Sequence, residues 1–195
     1  MSESDEQQEA IEEADRKDQI GYTRYLCERY LEDHPDHVPT LLRYAANLTS
    51  LAQYATAKAA LDHAQTVVPE KWRHLVLLRR GWLTEALGDF PAASELYLQA
   101  HALNPDDATY LIYAGSAAFQ QGDIDHAIDL ATQATRCPEG CIDEAYFNLG
   151  GYLLSKCEYR EAMACYRRAL EIDPDYEIAK ERLCDVELIL RHPEE

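Results

Sequence analysis

Apolar and small residues recur along the chain with a period of about 35 residues. One alanine series, with spacings of 36, 34 and 35 residues, comprises Ala57, Ala93, Ala127 and Ala162. A large apolar residue precedes each by three positions, at Tyr54, Phe90, Ile124 and Tyr159. A second alanine follows each by seven positions, at Ala64, Ala100, Ala134 and Ala169. A further small residue precedes each by twelve, at Ala45, Gly81, Gly115 and Gly150. These four agreeing series predict four copies of one pair of helices.

The spacing of each series has a structural reason. Small residues in both helices of a pair let the two backbones approach closely, and the second alanine lets the next pair pack against them. Proline follows the second alanine series by five positions at Pro69, Pro105 and Pro174, and by four at Pro138. Because proline has no amide donor and disfavours helix in the residue before it, these prolines should end the second helix of each pair.

The pattern resembles the tetratricopeptide repeat (TPR) family. The fourth copy carries the family positions most fully, at Tyr146, Leu149, Gly150, Tyr159, Ala162, Tyr166, Ala169 and Pro174. The resemblance implies an all-α fold, a right-handed α-solenoid of antiparallel helix pairs (a TPR superhelix). It also implies that function lies on the inner surface, which the first helix of each pair lines.

The repeats divide the chain into segments. Residues 38–174 hold four units, at about 38–71, 74–107, 108–142 and 143–174. Residues 20–37 look like the second helix of a degenerate unit, and the acidic residues 1–19 are expected to be mobile. Residues 175–195 should form a C-terminal capping helix and tail. The expected inner face of that helix holds Ile178, Leu183, Val186 and Leu190.

The offsets that face the groove in the family predict a peptide-binding surface that is mainly apolar. Carried onto this chain, they give Leu42, Leu75, Leu78, Trp82, Ile112, Ser116, Phe119, Phe147, Gly151 and Leu154. Trp82 is expected to be a binding anchor, because tryptophan is enriched among residues that dominate binding energy. The alternative is that Trp82 is a structural plug, compensating for Arg80 and Thr84 at usually apolar positions. Several of the other groove residues could likewise be ordinary packing residues.

The formal net charge of −18 narrows the choice of partners. Residues 1–20 carry eight acidic and two basic side chains, and residues 171–195 carry nine and three, a net of −6 at each end. Such a surface repels phosphate, so we expect neither nucleic acid nor an anionic membrane as a partner. Either it attracts a cationic partner or it only keeps the protein soluble.

The sequence lacks the motifs that are typical of catalytic, phosphate-binding and zinc sites. There is no glycine-rich phosphate loop, nucleophile elbow or His-Glu-x-x-His motif. Cys137 and Cys141 lie four residues apart, but no second pair follows to complete a zinc site. We therefore expect no enzyme activity, no cofactor and no metal. The acidic N-terminus lacks the apolar core of a secretory signal, which favours a cytoplasmic location with reduced cysteines.

The predicted function is a protein–protein interaction scaffold or chaperone. It should bind an apolar peptide segment, with or without basic flanks, in the concave groove. Some family members clamp the acidic C-terminal tails of Hsp70 and Hsp90, and that clamp begins with lysine and asparagine where this chain has Leu42 and Ala46. We therefore expect those tails not to bind. Two alternatives stay open: a chaperone like those of type III secretion translocators, and a structural subunit or homodimer whose groove is filled by self-association.

Overall fold

The computed structural model describes residues 3–191, which divide between Asp89 and Phe90 into two compact units, unit 1 (residues 3–89) and unit 2 (residues 90–191). Unit 1 contains α1 (Glu3–Arg16), α2 (Ile20–Asp33), α3 (Val38–Ser50), α4 (Tyr54–Val67), a 3-10 turn (Glu70–Trp72) and α5 (Arg73–Ala86). Unit 2 contains α6 (Phe90–Leu103), α7 (Thr109–Gln120), α8 (Ile124–Ala134), α9 (Ile142–Ser155), α10 (Tyr159–Ile172) and α11 (Glu177–Arg191). The predicted all-α class is confirmed. The finer division into repeat units stays a prediction.

The core of unit 1 lies between α3, α4 and α5. Ala45, Ala57 and Ala64, all taken from the repeating series, are completely buried there. Leu48 and Val76 fill the space beside them. The small side chains thus stand where the helices meet, as the sequence pattern predicts.

The core of unit 2 uses the same positions. Ala93, Ala100, Ala127, Ala134, Ala162 and Ala169 are all fully buried. At Gly115 of α7, an added methyl group would lie 3.5 Å from the carbonyl oxygen of Ala127 in α8. A methyl group would therefore make ordinary van der Waals contact between the two helices at this position.

The same turn follows α1, α3, α5, α7 and α9. The residue after each of these helices or close behind it is left-handed, at Asp18, Ala52, Gly88, Gly122 and Cys157, with φ between 53° and 84°. The next amide donates to the carbonyl five residues earlier, a bond that closes the helix end. These bonds are Gln19–Ala14, Gln53–Leu48, Asp89–Thr84, Asp123–Ala118 and Glu158–Leu153, at 2.8–3.1 Å. Because Asp18 shares this geometry, α1 and α2 form a pair like the others.

The N-terminal segment therefore differs from the sequence expectation. Residues 1–19 were expected to be mobile because they are so strongly charged, yet Glu3–Arg16 is a helix with a narrow apolar face. Ile11 on that face is 1% exposed and packs against Cys27 and Tyr30 of α2. Gln8 Nε2 donates to the Tyr30 hydroxyl at 2.5 Å. Ile11, the buried Ala14 and these polar contacts hold α1 in place.

The C-terminal helix α11 covers α10 through Ala179 and Val186, which are fully buried. Leu183 and Leu190 are half-buried. Ile178 was expected on the same face, but its side chain is 52% exposed. It stands one position before Ala179, which turns it away from α10 by about 100°. The predicted tail residues 192–195 lie outside the described residues.

Candidate functional site

A cleft of about 420 Å³ opens on one side of unit 1. Helices α3 and α5 lie side by side and form its floor, and the turn between α1 and α2 forms one edge. The residues that line it are Asp15, Asp18, Ile20, Pro39, Leu42, Arg43, Ala46, Asn47, Ser50, Leu75, Arg79 and Trp82. We call this the unit 1 cleft.

Three of the four predicted groove residues in unit 1 line this cleft. Leu42 comes from α3, and Leu75 and Trp82 come from α5. Leu42 is only 7% exposed and also belongs to the core, so it presents one edge. Leu78, the fourth, is buried and is not among the lining residues. The family offsets thus bring together residues that are separated by up to 40 positions in the chain.

Trp82 is half-buried in the cleft wall. The guanidinium of Arg79, three residues earlier on α5, lies 4.0 Å from the centroid of its ring. This distance is that of a cation–π interaction. The arginine therefore covers one part of the indole and holds the ring in a defined orientation.

The chemistry of the cleft differs from the mainly apolar groove that the sequence predicts. Half of the lining residues are polar or charged. Arg43 Nε donates to Asp15 Oδ2 at 3.0 Å, joining α3 to α1. The two arginines, Arg43 and Arg79, occupy the sixth position of their predicted units, counting from Val38 and His74. That shared offset is the signal that could have placed both arginines in the groove.

In unit 2 the predicted groove residues are a mixture of packing and surface side chains. Ile112 is buried, whereas Ser116, Phe119, Phe147, Gly151 and Leu154 are half-buried. The Phe119 ring stacks on Tyr152, with 4.9 Å between centroids. The Phe147 ring packs against Tyr166 at 5.8 Å and Tyr176 at 5.0 Å. Both phenylalanines therefore pack against aromatic partners within the unit and are also partly exposed to solvent.

A half-buried carboxylate adjoins these rings. Burial, and secondarily the charge of Asp143, raises the pKa of Glu144 above its usual value. Burial, followed by the charge of Glu144, raises the pKa of Tyr152 to about 12. The same two causes, with smaller effects from other nearby acids, raise the pKa of Tyr176. The aromatic surface of unit 2 is therefore also an acidic one.

Cys137 and Cys141 lie in a loop that is held by backbone bonds. The Glu139 amide donates to the Asp106 carbonyl, and the Ala108 amide donates to the Glu139 carbonyl, both at 3.0 Å. Both cysteines are free thiols. Burial, followed by nearby carboxylates, raises the pKa of each thiol. Since the thiolate is the form that binds metals and attacks disulfides, this environment disfavours both reactions.

Two further features are absent from the part of the chain that the structure describes. Within residues 3–191, no three side chains among histidine, cysteine, aspartate and glutamate are placed to hold a metal ion. Over the same range, no helix has both the length and the apolar composition needed to cross a bilayer.

Comparison with known proteins places these features in a family. Models of the tetratricopeptide repeat match residues 78–140 and 143–176. The small glutamine-rich tetratricopeptide repeat-containing protein 2 of Mycosarcoma maydis is 38% identical over 95 residues. That match spans 49% of this chain and 27% of the relative, so the chain covers only about a quarter of the relative's length.

Solved structures show the same fold at low identity. A thermophilic TPR protein of Thermus thermophilus aligns with a TM-score of 0.75 and 20% identity, over 95% of this chain and 99% of that one. A tetratricopeptide repeat protein from Parabacteroides merdae aligns with a TM-score of 0.75 and 15% identity, over 93% and 70% of the two chains. The repeated turns, the buried alanine series and these matches lead to one conclusion: the chain belongs to the tetratricopeptide repeat family.

Proposed function

We propose that this tetratricopeptide repeat scaffold uses the unit 1 cleft to bind an apolar segment of another protein. The observation that carries the proposal is the convergence of Leu42, Leu75 and Trp82 on one cleft. With Ile20, Pro39 and Ala46 they make up the apolar half of the lining, where an apolar side chain of the partner would rest. Tryptophan in particular offers a large apolar contact area.

The dimensions of the cleft suit an extended peptide. Pro39 and Ser50 are the outermost lining residues of α3, and the eleven residue steps between them span about 17 Å. This length corresponds to about five residues of extended chain. Asn47 Nδ2 donates to the Arg43 carbonyl, which leaves the side-chain oxygen of Asn47 as an acceptor for a peptide amide. The cleft can therefore contact both the side chains and the backbone of a bound segment.

Charge in the cleft favours neither sign of flanking residue. Asp15 and Asp18 balance Arg43 and Arg79 in number. We therefore propose that binding in the cleft is driven by apolar contact and depends only weakly on salt. The basic flank expected from the net charge of the chain gains no support from these residues.

We also propose that the acidic C-terminal tails of Hsp70 and Hsp90 do not bind here. Leu42 and Ala46 stand where the family's clamp begins with lysine and asparagine. Arg43 is already paired with Asp15, and Arg79 lies against the Trp82 ring. A carboxylate from a partner would have to displace these contacts. Synthetic peptides with the tail sequences should therefore show no saturable binding, and saturable binding would refute this part of the proposal.

A catalytic role is not part of the proposal. Among the described lining residues there is no histidine or cysteine, and the serine of the cleft, Ser50, donates its hydroxyl to the Ala46 carbonyl at 3.3 Å. Its hydroxyl is bonded to a carbonyl of its own helix and not to a basic side chain, which an activated nucleophile requires. The features of the cleft suit binding.

Affinity purification with a matched pair of variants tests the proposal. Ala46→Arg fills the cleft floor, whereas Ala59→Arg adds the same charge and bulk on the exposed side of α4. Proteins captured by wild type and Ala59→Arg, identified by mass spectrometry, should be lost with Ala46→Arg. A synthetic peptide from the captured protein should then show the same order of affinities in calorimetry. Equal capture by both variants would contradict the proposal.

Self-association is the competing explanation of an apolar cleft, and it is tested on the same proteins. Light scattering after size-exclusion chromatography gives the mass of each species. If wild type is a dimer and Ala46→Arg is a monomer, the cleft is filled by a second copy of this chain. Wild type that elutes as a monomer, together with peptide capture, supports the proposed function.

A further inference from the structure

A second groove in unit 1 lies between α1 and α2 and shares no lining residue with the unit 1 cleft. Its volume is about 370 Å³. Helix α1 contributes Glu3, Glu6, Gln7 and Ala10, a spacing that places them along one face of a helix. Helix α2 contributes the opposite wall, with Tyr25 and Leu26 as its main apolar residues. We call this the α1–α2 groove.

The α1–α2 groove has an apolar surface that is open to solvent. Tyr25 is 50% exposed and stacks on Tyr22, which is 54% exposed, with the ring centroids 6.4 Å apart. The described residues of unit 1 include four large hydrophobic side chains that are exposed, and Tyr22 and Tyr25 are two of these four. Tyr30 forms a fixed floor, because its hydroxyl is hydrogen-bonded to Gln8 and Ser4. Adjacent exposed aromatic rings of this kind are typical of a protein-binding surface.

The α1 wall of this groove is acidic. Helix α1 holds seven acidic residues and one arginine. Asp15 is paired with Arg43 and Glu13 with Lys17, both away from the groove. Glu3 and Glu6, which line it, have no ion pair with any described residue. On the opposite wall the charge of Arg29 is balanced by Glu32 at 3.6 Å. The net charge presented to a ligand is therefore negative.

We propose that the α1–α2 groove binds an amphipathic basic helix of a partner protein. The apolar face of that helix would rest on Tyr25, Leu26 and Ala10, and its lysines or arginines would contact Glu3 and Glu6. Charge complementarity selects a cationic partner and excludes nucleic acid and anionic membranes. The lining of α1 runs from Glu3 to Ala10, about 10 Å, which matches two turns of a partner helix.

The probe for this proposal is a synthetic helix of leucine and lysine, about 14 residues or four turns long, with all leucines on one face. Its glutamate analogue and a scrambled leucine–lysine peptide are the controls for charge and amphipathicity. Fluorescence anisotropy with the full chain should show saturable binding of the first peptide alone. Its affinity should fall as salt is raised, since exposed charges contribute to it.

Matched variants then locate the binding. Tyr25→Ala should weaken it at least about tenfold, and Tyr25→Leu, which keeps the apolar contact, should retain most of it. Glu3→Lys/Glu6→Lys should weaken it and remove most of its salt dependence. Glu161→Lys/Glu181→Lys, which makes the same change in net charge in unit 2, should have a small effect. Ala46→Arg in the unit 1 cleft should leave it unchanged, so this proposal can fail without the proposed function failing.

Three results would overturn the inference. Equal weakening by the two charge-reversal pairs would mean that the peptide is attracted only by the overall acidity of the chain. Unchanged binding by Tyr25→Ala would remove the aromatic contact on which the groove depends. Loss of binding with Ala46→Arg would place the peptide in the unit 1 cleft instead. Circular dichroism melts of each variant establish that it is folded at the temperature of the assay.

Discussion

The Arg79 guanidinium lies 4.0 Å from the centroid of the Trp82 ring, and both residues line the unit 1 cleft. The arginine holds the indole in place before any ligand arrives. A side chain that is already ordered loses less entropy on binding, so it contributes more of its contact energy to affinity. This relationship favours Trp82 as a binding anchor, although its half-buried position is also compatible with a packing role.

Trp82→Ala separates the two roles. If Trp82 is an anchor, affinity for a peptide that binds the unit 1 cleft should fall by about 2 kcal/mol or more, with a modest loss of thermal stability. If it is a structural plug, the free energy of unfolding should fall by about 3–5 kcal/mol while the folded fraction binds as before. We expect the first outcome. Isothermal calorimetry and denaturant unfolding measure the two quantities on the same protein.

Trp72→Ala is the matched control for this substitution. Trp72 is also half-buried in unit 1, but it lies in the 3-10 turn and packs against the core cluster, outside the cleft. Its removal should lower stability and leave peptide affinity nearly unchanged. If the two variants lost affinity equally, the effect of Trp82→Ala would be a general consequence of destabilising unit 1.

Gly150 and Gly115 stand at the same repeat position but should respond oppositely to alanine. At Gly150 a new methyl group would lie 2.8–3.0 Å from the ring of Tyr166, which is almost completely buried and has little room to move. Gly150→Ala should therefore destabilise the protein by about 1–3 kcal/mol. At Gly115 the nearest atom would be 3.5 Å away, an ordinary contact. Gly115→Ala should be neutral or stabilising by up to about 1 kcal/mol, because alanine favours helix.

Urea unfolding of both variants against wild type measures the difference. Tyr166→Leu removes the ring that Gly150→Ala would meet, so the double variant provides a further check. The cost of Gly150→Ala should be smaller in the Tyr166→Leu background than in wild type. Equal costs in the two backgrounds would show that the ring is not what makes this position crowded.

Glu144→Gln should stabilise the protein at neutral pH. Burial raises the pKa of this carboxyl, so the folded state binds its proton more tightly than the unfolded chain does. Stability associated with Glu144 is therefore full below the unfolded value near 4.5 and is lost as the pH rises through the folded value. Glutamine is neutral at every pH and avoids this loss.

The comparison is made by denaturant unfolding at pH 7.5 and pH 5.0. The gain from Glu144→Gln over wild type should be larger at pH 7.5. Glu181→Gln, on the exposed surface of α11, makes the same change in net charge and should give a smaller gain with less dependence on pH. If Glu181→Gln stabilised the protein as much as Glu144→Gln at both pH values, the gain in stability would come from the change in net charge and not from burial of Glu144.

The repeat fold and its helix crossings could be predicted from the sequence. Ala57, Ala127 and Ala162 are fully buried where their spacing predicts. The prediction succeeds because each repeat contacts mainly its neighbouring repeats. The same need for a small side chain therefore recurs at a fixed interval and is visible in the sequence. The offsets also brought Leu42, Leu75 and Trp82 to one surface, since a helix position determines which face a side chain occupies.

Other features of the structure depend on contacts that do not recur from one repeat to the next. Helix α1 is held by Ile11 and by the Gln8–Tyr30 bond, and neither stands out in a segment dominated by acid. The chemistry of the unit 1 cleft depends on Arg43 meeting Asp15, 28 positions away in the chain. Gly150 is crowded and Gly115 is not, because Tyr166 of α10 fills the space at one of them. The sequence by itself determined the repeating helical backbone and the positions where a small side chain is required. Only the tertiary structure decided which side chains meet between the helices, because those distances depend on how each particular pair packs.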